Sequence, residues 1–278
     1  MITVQLGDRL PTVATVQRLL NARRDTAILV DGAFGPITQN AVRDFQRMTH
    51  CSTVNGRVDN ATWNRLNQGM NFTVHDVIDI TDPELLLDLG VIERYNDHPI
   101  VFGGMSNAVE QMVNLVISRT PNGSLVLLRF DGHGNQGIQV IGVGRGWIDI
   151  FGTQRPHNER NIPDAQIELY RNTIRYSSVS GSQKNLRYVR DFLSRLRPCF
   201  SPYGSIEFHG CRIALGAEGR SFMQEVSDIV GVPATGSLIS QDVGTVQRFM
   251  GTTFTGCPNG VSLKDWSGSL PELNVSLP

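Results

Sequence analysis

Between residues 109 and 230 the chain alternates helical stripes with short apolar runs, and this alternation limits the possible folds more than any other feature. Val109, Met112, Val113, Val116 and Ile117 recur at helical spacing, and Ser124-Leu-Val-Leu-Leu-Arg-Phe follows as a buried-strand pattern. Gly137-Ile-Gln-Val-Ile-Gly reads as another strand. Leu186, Val189, Phe192, Leu193 and Leu196 outline a second helix that stops at Pro198. A strand at 205–208 leads to a third helix using Phe222, Met223, Val226, Ile229 and Val230, closed by Gly231. Val77-Ile-Asp-Ile is a candidate first strand, and 145–180 has a loop-like density of Gly, Pro, Asn and Arg. Helices alternating with apolar strands predict an α/β domain, a mostly parallel sheet covered by helices on both faces.

The composition can build such a core. The chain has 278 residues, 40% hydrophobic and 18% charged, enough for one large domain or two unequal ones. No apolar run approaches the roughly 18 residues of a membrane span. Net charge is −1, so bulk electrostatics ask for neither nucleic acid nor an anionic membrane. Residues 1–66 carry 8 Lys and Arg against 5 Asp and Glu, a weak basic bias. Cys51, Cys199, Cys211 and Cys257 lie far apart with no CxxC pair, which reads as free thiols made in a reducing compartment. Met1 to Asp8 lacks a basic segment followed by an apolar one, so the expectation is cytoplasmic synthesis without a Sec signal peptide.

Ahead of the α/β region, residues 13–66 read as three short helices. The first presents Val13, Val16, Leu19 and Leu20. The second follows Pro36 and presents Ile37, Ala41, Val42, Phe45 and Met48. The third is capped by Asp59-Asn60, with Trp63 and Leu66 facing inward. Residues 67–77 lose the helical period, which places a boundary there and gives domains at 1–70 and 71–278. Within the first, Val16-Gln17, Asp31-Gly32-x-Phe34-Gly35, Ala41-Val42, Phe45-Gln46, Asn55-Gly56-x-Val58-Asp59 and Thr62-Trp63 form an ordered pattern. That pattern resembles the three-helix peptidoglycan-binding domain attached to many bacterial wall hydrolases. The resemblance implies that residues 11–66 bind peptidoglycan or another wall polymer. Asp31, Gln39 and Arg43, polar groups near the turns, are candidate groove residues, the alternative being merely solvated side chains.

In open α/β sheets, ligands gather at the carboxyl ends of strands. Two apolar runs here end in Asp131-Gly132-His133-Gly134 and His209-Gly210-Cys211. A cysteine is by default a small buried hydrophobe. At a strand end it can instead be a nucleophile, given an imidazole to take its proton. The Gly134 and Cys211 amides could then stabilise an oxyanion if their strands are neighbours. His209 lies two residues before Cys211, on the same strand face, and either pairs with the thiol or is a satisfied histidine at the rim. A base across a cleft approaches better, which favours His133. Asp131 could orient the His133 ring or cap a turn. A zinc set of His133, His209 and Cys211 is a rival without supporting spacing, so neither metal nor cofactor is called for.

The blocks "LVLLRFDGHG" and "SIEFHGCRIALGAEGRSFMQEVSDIVGVPATGS" resemble the caspase-like, clan CD, cysteine peptidases and the bacterial CHAT-related domains. The likeness spans residues 100–245, with no counterpart for 145–180. It implies His133 as general base, Cys211 as nucleophile, and Gly134 with the Cys211 amide as oxyanion hole. It also implies that the segment after 232 helps form a substrate pocket. Asp242, or Asp265, would there select Lys or Arg, the alternative being a solvated loop carboxylate. The resulting expectation is a bacterial hydrolase, a cysteine peptidase acting on a peptide or protein and targeted to the wall by its front domain. Such a protein could be an effector exported by specialised secretion. A wall amidase or endopeptidase, and a non-catalytic wall-binding protein, are the alternatives.

Overall fold

The computed structural model describes residues 1–25, 27–79, 99–102, 108–140, 173–175, 190–242 and 248–273. Three helices open the chain: α1 (Pro11–Ala22), α2 (Pro36–Met48) and α3 (Asn60–Asn67). Proline begins α1 and α2, where its missing N–H costs nothing. The Asp59 carboxylate caps α3 by accepting from the Thr62 amide. α2 buries Thr38, Ala41, Val42, Phe45 and Gln46. Ile37 and Met48, expected on that inner face, are instead 72% and 53% exposed. Thr38 and Gln46 take their places beside Ala41, Val42 and Phe45 on the buried stripe, polar residues that the apolar period alone does not mark.

The expected boundary region is shorter than 67–77. Asn67 holds Phe72 from both sides, its amide donating to the Phe72 carbonyl and its oxygen accepting from the Phe72 N–H. Strand β1 (Thr73–Asp79) begins at the next residue, so Val77 lies in its middle. Among the described residues the other strands are β2 (Ile100–Phe102), β3 (Leu125–Asp131), β4 (Gly134–Asn135), β5 (Ile138–Val140), β6 (Thr173–Arg175), β7 (Ile206–Phe208), β8 (Ala234–Ser237) and β9 (Thr253–Gly256). The main sheet runs β2-β1-β3-β7-β8-β9, with every pairing parallel except β8 with β9. The run at 137–142, expected to continue that sheet, instead places β5 in a small antiparallel sheet β4-β5-β6. It follows β3 too closely for a crossover, so it folds back as a hairpin.

Helices α4 (Ala108–Arg119), α5 (Gly216–Val230) and α6 (Leu263–Ser269) follow among the described residues. Val77, Leu128, Phe130, Ile206 and Phe208 share one apolar cluster with Met112 and Val116 of α4 and Phe222 and Val226 of α5. Leu193 and Leu196 join it, while Leu186, Val189 and most of 145–180 lie outside the described residues. A second cluster joins Val126, Leu127, Tyr203, Trp266 and Leu270 to Val13, Val16, Leu19 and Leu20 of α1. The three-helix unit therefore shares a core with the α/β region. That is why all ten residues from Pro11 to Leu20 are buried. A helix buried all round is a core helix.

Candidate functional site

β3 and β7 pair in parallel with Phe130 opposite Phe208, and those two rings stack at 5.0 Å. His133 and Cys211 each lie three residues beyond this pair, at the carboxyl end of adjacent central strands. Their loops touch. A Cβ on Gly210 would sit 2.8 Å from the Gly134 Cα and 2.8 Å from Gln139 Oε1, so only glycine permits the approach. Gln139 of β5 binds both loops, accepting from the Gly210 N–H at 3.2 Å and donating to the His133 carbonyl at 3.3 Å. The glycines beside His133 and Cys211 thus serve the contact of the two loops with each other.

On its other side the Cys211 turn is tied to the end of β8. The Arg212 amide donates to the Ile239 carbonyl and the Ala214 amide to Ser237. Cys211 is half-buried, and its sulfur accepts from the Gln241 N–H at 3.3 Å with the Gln241 carbonyl 3.5 Å away. Among the described residues the thiol's partners are both on Gln241, and the Cys211 amide has no acceptor. Arg212, the next residue, is held at φ 53°, a left-handed conformation that costs a side-chain-bearing residue energy and turns the chain sharply at the sulfur. Burial raises the Cys199 pKa, and pushes that of Cys257 up to about 12.

Behind this edge lies a buried charged group. Arg129 of β3 donates to Asp76 of β1 at 2.6 Å and faces Glu207 of β7 at 3.5 Å, with all three at most 4% exposed. His209 donates from Nε2 to Glu207 at 3.2 Å, and its ring stacks on Phe249 with centroids 4.2 Å apart. Burial lowers the His209 pKa, partly opposed by Glu207. Burial would raise Glu207, but hydrogen bonds from His209 and Thr12 and the Arg129 charge hold it below its usual value. β7 ends at Phe208, so strand alternation no longer places His209 on the face of Cys211. The satisfied-histidine reading is the one the contacts favour. Asp131, buried at the end of β3, sits 4.0 Å from His209 Nδ1 and adds its charge to the group.

The remaining candidates separate. Asp242 is exposed and its N–H donates to Met250 Sδ. Asp265 pairs with Ser262 in the cap of α6, a helix that packs on α1, so its role is structural. Among the described residues no three His, Cys, Asp or Glu side chains converge as a metal site, and the zinc set of His133, His209 and Cys211 is not formed.

The front unit carries two buried glutamines that explain its sequence pattern. Gln17 accepts from the Asp31 and Gly32 amides and donates to Asp31 and the Ala33 carbonyl. Gln46 does the same for the second turn, accepting from the Gly56 N–H and donating to the Arg57 carbonyl and Thr62. Asp31 is thereby a turn-forming residue. Gln39 and Arg43 remain half-exposed over the Gly56 turn. Residues 9–66 match the family of putative peptidoglycan binding domains. The peptidoglycan-binding-type domain is thus the three-helix unit that lines the sheet. No curated protein matches the chain. No solved structure matches it either. Among the described residues, no helix is long and apolar enough to cross a membrane.

Sequence reasoning passed over Arg129 and Glu207, although the signal was present. Each is a lone charge in an apolar run, four residues before His133 and Cys211 respectively, and they are register partners. Gln139 and Gln241 carried no comparable mark.

Proposed function

We propose that the chain is a cysteine peptidase of the caspase-like type, held at the bacterial wall by its peptidoglycan-binding-type domain. The observation that carries this reading is the meeting of the His133 and Cys211 loops on adjacent central strands, joined by Gln139. His133 takes the thiol proton as Cys211 Sγ attacks the peptide carbonyl carbon. The oxyanion is met by the Cys211 amide, which has no acceptor among the described residues, together with that of Gly134. The imidazolium returns its proton to the leaving amine. Water, deprotonated by His133, then cleaves the thioester and restores the thiol. The thiol reaches His133 by rotating away from Gln241, an exchange of partners that takes place in the free protein and tightens when substrate binds. No cofactor takes part in this sequence.

A wall peptide is a second substrate reading, favoured by one observation. The peptidoglycan-binding-type domain is packed on the sheet whose strand β7 leads to Cys211, so a wall polymer held by it is brought to the unit that carries the thiol. Purified sacculi and a denatured protein, each incubated with wild type and Cys211→Ala, separate the two. Peptide-bond cleavage lost in the variant is expected. Equal cleavage by both proteins, or by neither, retires the peptidase.

A further inference from the structure

Three consecutive residues shortly before β9 are each fastened to a different part of the molecule. Arg248 donates to Asp8 Oδ1 of the peptidoglycan-binding-type domain at 3.0 Å, and Asp8 Oδ2 accepts from the Gln5 N–H at 2.7 Å. Phe249 stacks on the His209 ring with centroids 4.2 Å apart and planes 20° apart. The Met250 N–H donates to Gln241 Oε1 at 3.0 Å, and Met250 Sδ accepts from the Asp242 N–H at 3.1 Å. Just beyond them, the Leu238 N–H donates to the Thr252 carbonyl and the β8–β9 pairing begins. Residues 248–250 thus form a strap running from the front domain to the end of β8.

Two of the fastenings end at the turn that carries the thiol. His209 lies two residues before Cys211, and the Gln241 N–H donates to Cys211 Sγ at 3.3 Å. The same domain reaches His209 by a second route, since Glu207 accepts from the Thr12 hydroxyl on one oxygen and from His209 on the other. The turn has reason to be held. Arg212 sits in it at φ 53°, and strain of that kind persists only where the surroundings fix it. We infer that the strap positions Cys211 for His133, with Asp8 and Arg248 as the positioning residues through which the front domain fixes the thiol turn. This rests on the proposed peptidase for the use made of the geometry. With the turn fixed, one side-chain rotation exchanges the sulfur between Gln241 and His133. With the turn loose, the sulfur spends its time where the imidazole is out of reach, and small misplacements of this sort are costly to reaction rates. The front domain then serves the chemistry as well as the targeting.

Full-length Arg248→Gln and Asp8→Asn test it, with Arg248→Lys as the rescue because it keeps a cation at the carboxylate. The Arg248 and Asp8 side chains are 30% and 17% exposed, and an ion pair this open to water adds little to global stability, so the melting temperature should hold. Hydrogen exchange of the peptide spanning 209–214 should be at least about threefold faster in Arg248→Gln and Asp8→Asn, and close to wild type in Arg248→Lys. Alkylation of Cys211 by iodoacetamide at pH 7, relative to Cys51, should be at least about threefold slower in the same two variants. In a His133→Ala background, Arg248→Gln should change that rate no further. A merely structural loosening would expose the sulfur and speed its alkylation with or without His133. Unchanged exchange, alkylation that is not slowed, or equal slowing without His133 overturns the inference. A wild-type Cys211 that fails to outpace Cys51 retires the peptidase and this use of the strap with it, whereas a retained lead with unslowed variants retires the strap alone.

Discussion

The Thr12 hydroxyl, on the first helix of the peptidoglycan-binding-type domain, donates to the Glu207 carboxylate on β7 across 3.2 Å in a buried setting. The neighbouring Thr15 hydroxyl donates to the Tyr203 carbonyl at 2.9 Å, and Arg18 pairs with Glu272. The domain is thus a layer of the fold. Its α1 covers the sheet face that contains Val126, Leu127 and the charged group around Arg129.

The full chain should therefore unfold in one transition, and residues 71–278 alone should not fold. Each buried Val or Leu side chain returned to water costs about 1.5–3 kcal/mol, and several on the shared core would be exposed together. Scanning calorimetry of the whole chain and circular dichroism of the fragment check this. Two separated transitions, or a folded fragment, would show the domains to be independent.

Acid should weaken the protein before most carboxylates titrate. His209 is buried with its pKa lowered, so the unfolded chain takes up its proton first as pH falls below about 6.5, and stability drops with it. Glu207 is held below its usual value, so its contribution is present above about pH 4.3 and is lost as pH falls through the folded value. Asp76, Arg129 and Asp131 face the same group. His75, also lowered by burial, adds a slope of the same sign. Urea midpoints from pH 7.5 to 5 should fall in wild type and fall less steeply in His209→Gln. Parallel profiles would remove His209 from the explanation.

Gly210→Ala tests the contact of the two loops. The added Cβ meets backbone at Gly134, which cannot swing aside as a flexible side chain would. Overpacking of this kind costs about 1–3 kcal/mol. A melting temperature lowered by several degrees is expected, with Gln139 pushed off the Gly210 amide. An unchanged melting temperature would mean that the loops are not in contact.

Arg129→Met should be among the most destabilising single changes. Removing one partner from a buried ionic group strands the other charges, at a cost of about 3–5 kcal/mol. Asp76 and Glu207 would be left facing each other beneath α1. Chemical denaturation measures the loss, and a value under 1 kcal/mol would contradict the assigned role.

Much of the fold was legible because its signals are local. Pro36, Asp59 and Gly231 mark helix ends by rules that act within one turn, and α5 buries the stripe read from its spacing. The order of the sheet is not local, and neither is the fact that α1 lines it. Pro11 to Leu20 read as a helix with one apolar face, and nothing in the 3.6-residue period shows that Thr12, Thr15 and Arg18 face a second partner. The strand ends at His133 and Cys211 were legible from glycine and position, whereas the binding of their loops by Gln139 depends on a hairpin whose placement only the structure gives.

The central claim, that His133 activates Cys211, is tested most directly by the rate of thiol alkylation with iodoacetamide, site by site, at pH 7. Cys199 and Cys257 are buried and should not react, and half-exposed Cys51 supplies the internal reference. Cys211 should be alkylated at least about tenfold faster than Cys51, as a thiolate formed by an adjacent base requires. His133→Ala should bring the two rates together while leaving the melting temperature unchanged. Cys211 reacting no faster than Cys51, or keeping its lead without the His133 imidazole, would contradict the account.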